Sequence, residues 1–182
     1  MAHDMDRLLE MSEEIWENSI IPSLSEFIGI KALSPLFEPD WEELGELDDV
    51  IELFCNWIDL QGISGLSYSV HRLEGRSPVL LVTVEGTGKG EVIFYSHLDK
   101  QPSKPELWSD GLGPLDAVRR GEWLFGRGSI DDGYGGYLCL ASLKLLQESG
   151  IPHPQCSFLI ETCEESGSFD LPPYLELSLI HI

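Results

Sequence analysis

Basic residues are scarce in this chain, with 11 Lys and Arg against 32 Asp and Glu among 182 residues, for a formal net charge of -21 at pH 7. A surface this acidic repels phosphate backbones and anionic headgroups, so nucleic acid and membrane surfaces are not expected partners. Cysteine is also sparse. Cys55, Cys139, Cys156 and Cys163 are scattered without a CxxC pair, which gives no disulfide framework and no cysteine zinc site and suits reduced thiols in a cytoplasmic protein. No apolar run approaches the length of a membrane span, and the opening MAHDMDRLLEMSEE has neither the basic region nor the apolar stretch of a secretory signal. Internal repeats and low-complexity segments are missing too. The 42% hydrophobic content is enough for one domain with a real core.

Helical periodicity appears first. Met5, Leu8, Leu9, Ile15, Trp16 and Ile20 form an apolar stripe, with Pro22 as a kink or a fresh helix start. The prolines of 31–39 predict a loop. Leu44, Leu47, Val50, Ile51, Phe54, Trp57 and Ile58 predict a second amphipathic helix over 40–60 that ends at Gly62 and Gly65. Strands follow over 66–73, 78–84 and 92–99, a short one over 122–125 and another over 156–160, with a helix over 134–149 between the last two. GTGKG, Gly86 to Gly90, lacks the spacing and the following helix of a phosphate loop, so it is read as a hairpin turn and Lys89 is given no catalytic role. Alternating strands and helices predict an α/β sandwich with a mixed, largely parallel sheet.

Chemistry-bearing residues cluster after the strands. VIFYSHLD places His97 at the end of an apolar run, with Asp99 on the same side two residues later, where its carboxylate can reach the second imidazole nitrogen. Asp131 and Asp132 open the later helix, and Glu164 and Glu165 follow CSFLI. With 34 residues from His97 to Asp131 and 33 from Asp131 to Glu164, successive crossover units would set the three loops side by side. One His with several carboxylates suits Zn2+ or Mn2+. Two adjacent glutamates on an extended segment point apart, so one would bind metal while the other faces the attacking water. Asp132 is equally well read as a helix N-cap.

Three motifs in this order, SHLDKQP, FGRGSIDDG and ETCEESGS, resemble those of the di-zinc exopeptidases and deacylases. That family includes carnosine dipeptidases, glutamate carboxypeptidase, aminoacylase, acetylornithine deacetylase and succinyl-diaminopimelate desuccinylase. The resemblance implies that His97, Asp131 and Glu165 are metal ligands, with Asp131 bridging two Zn2+ ions (Mn2+ or Co2+ as substitutes). It implies that Asp99 orients His97 and that Glu164 is the general base. Ser96 stands where the family usually has Gly. Gly133 and Tyr134 stand where many members have a Lys, and DDGY looks like a dipeptidase-like subset. The implied activity is amide hydrolysis in dipeptides or short peptides; the alternatives are deacylation of N-acyl amino acids and a non-catalytic piece. Residues 1–176 would be the N-terminal part of the catalytic domain, truncated before the inserted dimerisation and lid domain and inactive alone. Homodimers would then form only in the full-length protein. The apolar tail 177–182, with His181 as a weak substitute ligand, falls outside the resemblance.

Overall fold

The computed structural model describes residues 2–177, so His181 and all of the apolar tail except Leu177 lie outside the described residues. The N-terminal stripe forms α1 (Ala2–Ile15), a π turn over Trp16–Ile20 and α2 (Ile21–Gly29). The wider turn lies directly ahead of Pro22, which has no N–H to continue the ladder. The expected helix over 40–60 is split into α3 (Trp41–Leu44) and α4 (Glu46–Gln61) by Gly45 at φ 73°. Leu44 falls outside the core as a result, whereas Leu47, Val50, Ile51, Phe54, Trp57 and Ile58 are buried at helical spacing.

A four-stranded mixed sheet of order β1-β2-β6-β3 carries the site, with β1 Leu66–His71, β2 Val79–Val84, β3 Glu91–His97 and β6 Gln155–Glu161. β6 runs parallel to β3 and antiparallel to β2, and β1 is antiparallel to β2. A separate ribbon pairs β4 (Val118–Arg120) with β5 (Trp123–Phe125), and α5 (Gly133–Glu148) lies between that ribbon and β6. A short α6 (Leu171–Glu176), which the sequence pattern did not signal, closes the described chain.

One sheet face presents Leu80, Val82, Val84, Cys156, Phe158 and Ile160 to helices α2, α4 and α5. There Phe54, Trp57 and Tyr137 meet with ring centroids 4.7–5.8 Å apart. Each large side chain buried in this way contributes roughly 2–3 kcal/mol. The other face is less covered, leaving Ile93 55% and Tyr95 50% exposed.

GTGKG is not a hairpin turn. β2 and β3 are not neighbours, and the segment between them passes across the start of β6, which is inserted between the two strands. A methyl group on Gly86 would stand 2.2 Å from the Pro154 carbonyl oxygen, and one on Gly88 would stand 2.9 Å from that of His153. The glycines are there for close approach, and Gly88 N–H donates to the His153 carbonyl at 2.8 Å.

Lys100, fully buried, ties the loop after β3 to the first helices. Its Nζ donates to the carbonyls of Phe27 and Ile30, both at 2.6 Å, and lies 4.0 Å from the Phe27 ring centroid. Its backbone pairs with the segment after α2, through Lys100 N–H to the Ala32 carbonyl at 2.9 Å and Ser34 N–H to the Lys100 carbonyl at 3.0 Å.

Candidate metal centre

His97 ends β3 directly opposite Glu161 at the end of β6, so both chains leave the sheet at one edge. Asp131 reaches this edge by another route. The strand before it, β5, belongs to the outlying ribbon and not to the main sheet as the spacing predicts, and Asp131 is delivered from the turn that opens α5.

Asp99 is fully buried and connects the two strand exits. Its Oδ1 lies 3.4 Å from His97 Nδ1. Its two oxygens accept the backbone N–H groups of Glu164 at 3.1 Å and Glu165 at 3.0 Å. These glutamates are not on an extended segment, since Glu164–Ser166 is one 3-10 turn, whose leading N–H groups are the free donors that a carboxylate satisfies. Ser166 is clamped in turn: its Oγ lies 2.5 Å from Ser34 Oγ and accepts Leu36 N–H at 2.9 Å.

His97 Nε2 faces the carboxylates, 3.2 Å from Asp131 Oδ1 and 3.6 Å from Glu164 Oε2. One ligand atom from each of His97, Asp131 and Glu165 lies within 4.8 Å of the others. Burial acts most strongly on His97 and disfavours its charged form, but the Asp99 hydrogen bond and the charges of Asp99, Glu164 and Asp132 outweigh it and raise the imidazole to about 9. Desolvation raises the Glu165 carboxyl, opposed by the Gln101 amide, whose Nε2 donates to Glu165 Oε2 at 2.6 Å. Asp132 occupies the N-cap position of α5 without a side-chain capping bond, and burial raises its carboxyl.

The donor set fits a divalent cation of the zinc kind, with one imidazole nitrogen and two carboxylates converging and Asp99 occupying the opposite imidazole nitrogen. A cavity of about 480 Å3 lined by Ser64, Glu85, Thr87, Gln147 and His153 lies at the far end of the sheet and shares no residue with this cluster.

Sequence reading passed over Glu161 and Gln101. Glu161 Oε1 accepts Tyr95 Oη–H at 2.6 Å and Ser168 Oγ–H at 2.7 Å, and desolvation raises its carboxyl. The one available signal was its place as the first acidic residue of ETCEESGS, directly after the apolar run of β6.

A mixed α/β sheet brings His97 and the carboxylates together at adjacent strand exits. Residues 93–179 match the model of peptidase family M20/M25/M40. The fold agrees. Human carnosine dipeptidase 1 superposes with a TM-score of 0.72 at 21% identity, over 96% of this chain and 37% of its own. The di-peptidase Dug1p of Saccharomyces cerevisiae gives 0.73 at 20%, over 97% and 38%. An M20 family metallo-carboxypeptidase of Sulfolobus solfataricus gives 0.70 at 22%, over 85% and 33%. The chain thus spans little more than a third of these proteins. No curated protein sequence matches it.

Proposed function

We propose that this chain is the N-terminal part, residues 1–176, of a metal-dependent hydrolase that cleaves the amide bond of dipeptides or short peptides. The observation that carries this reading is the convergence of His97, Asp131 and Glu165 within 4.8 Å, in a segment that matches the M20/M25/M40 family model and whose fold neighbours include dipeptidases. In this reading His97, Asp131 and Glu165 would hold Zn2+, with Mn2+ or Co2+ as substitutes. A divalent cation there supplies an acidified water and polarises the scissile carbonyl.

The remaining work belongs to the protein's own groups. The Asp99 backbone carbonyl takes the Nδ1 proton of His97 at 3.2 Å, with the Asp99 carboxylate 3.4 Å from the same nitrogen, which turns Nε2 toward the cluster. The same carboxylate fixes the backbone of Glu164 and Glu165, so their side chains leave a turn whose position is set. In this reading Glu164 accepts the proton of the attacking water and returns it to the leaving amine, supported by its 41% side-chain exposure and its 3.6 Å distance from His97 Nε2. Free cysteines support a cytoplasmic setting; among the described residues no helix is long and apolar enough to cross a membrane.

The test compares the Zn2+-supplemented protein carrying this chain with its Glu164→Gln variant on a dipeptide panel. Hydrolysis lost by a factor of about 100 or more, with Zn2+ content unchanged, is the expected result. Undiminished hydrolysis in the variant, or no Zn2+ uptake by either protein, overturns the reading.

A further inference from the structure

Gln101 is held in place by its neighbours. On one side Lys100 is locked by backbone bonds to Ala32 and Ser34 and by its buried Nζ. On the other side Pro102 restricts Gln101 to extended backbone. From this fixed point the amide crosses to the other strand exit and donates to Glu165 Oε2 at 2.6 Å. Glu165 is therefore gripped twice, its N–H by Asp99 and its carboxylate by Gln101. Gln101 is exposed, so burial of its side chain does not account for the contact.

We propose that Gln101 is a positioning residue for the Glu165 carboxylate, engaging one oxygen so that the other is presented to the ion that His97 and Asp131 share. This rests on the reading of the cluster as a metal centre. An amide suits the task because it donates without adding a charge to compete for the metal, and without it the side chain of Glu165 would sample several rotamers and lose that entropy on binding. Partners of this kind, one step behind the ligands, are typically worth about 10- to 100-fold in metal affinity.

The experiment is a double-mutant cycle read by Zn2+ affinity, measured by competition with a chromogenic chelator, on the protein carrying this chain as wild type, Gln101→Met, Glu165→Gln and the double variant. Met keeps the length of the side chain and removes the donor. The expected result is Zn2+ binding about 10- to 100-fold weaker in Gln101→Met, no further weakening when that change is added to Glu165→Gln, and an unchanged metal-free melting temperature. Wild-type affinity in Gln101→Met, or an equal loss in both backgrounds, overturns the role of Gln101 while leaving the metal centre standing. Failure of the wild-type protein carrying this chain to bind Zn2+ overturns the centre and, with it, this proposal.

Discussion

Replacing Lys100 by Met keeps most of a buried stem and deletes its amine. What is lost is the pair of 2.6 Å bonds to the Phe27 and Ile30 carbonyls and the approach to the Phe27 ring. Phe27 O still accepts Ile30 N–H, so Ile30 O bears most of the loss, which at about 1–3 kcal/mol for one buried unsatisfied group sets the cost near 2 kcal/mol in alkaline solution. The pH dependence is more discriminating. Burial pulls Lys100 from the ordinary 10.5 down to about 7; Glu46 opposes that shift and Arg127 adds to it. A lysine in the unfolded chain titrates near 10.5, so between about 7 and 10.5 the folded state binds fewer protons than the unfolded one. Its contribution to stability is therefore fully present above 10.5 and lost as pH falls toward about 7. Urea unfolding of wild type and Lys100→Met across this window will show wild type gaining on the variant by up to about 1.4 kcal/mol per pH unit. A gap that stays flat or narrows with rising pH would refute the reasoning, and would mean that the carbonyls and the Phe27 ring keep the ammonium charged inside the fold.

Asp99→Asn leaves one acceptor oxygen where two backbone N–H groups are now satisfied and sets an amide against the other; the metal-free protein is expected to lose about 2–4 kcal/mol in urea unfolding, and full retention of stability would show that the Glu164–Ser166 turn stands without it. Gly86→Ala drives a methyl into the Pro154 and His153 carbonyls, 2.2 and 2.3 Å away, at about 3 kcal/mol. Gly29→Ala, whose nearest neighbour is 4.0 Å away, serves as the control and is expected to cost nothing; equal melting temperatures for the two variants would contradict the crossing of the loop over β6.

Elements that announce themselves by period were legible. α4 shows its buried side at i, i+3 and i+4 spacing, and the apolar runs of β3 and β6 end at the chemistry-bearing residues. The illegible parts depend on what lies beside a segment in space. Gly86 and Gly88 fit a tight turn as well as they fit a crossing under Pro154, and only the insertion of β6 between β2 and β3 separates the two. Regular spacing from His97 to Asp131 to Glu164 suggested three equal crossovers. One of the strands they require is instead β5, too short to join the main sheet and paired with β4, because residues 118–125 are too few and too polar to fill a buried strand position.

At the centre, residue types were legible and their mutual support was not. A period of two along β3 places Asp99 beside His97, but nothing local in SHLDKQP says that the same carboxylate spans to a turn 65 residues later. That contact exists because β3 and β6 are parallel neighbours, so their exits emerge together and the free N–H groups of the Glu164–Ser166 turn need an acceptor on the opposite loop. The next residues along that loop repeat the pattern: Lys100 fastens it to α2, and Gln101 fastens Glu165 to it. SHLDKQP therefore holds a donor to the cluster in His97 and three successive ties in Asp99, Lys100 and Gln101, each bonded to a different part of the chain. The loop is consequently fixed without an ion, which would keep small the entropy that binding a metal at the proposed centre has to remove.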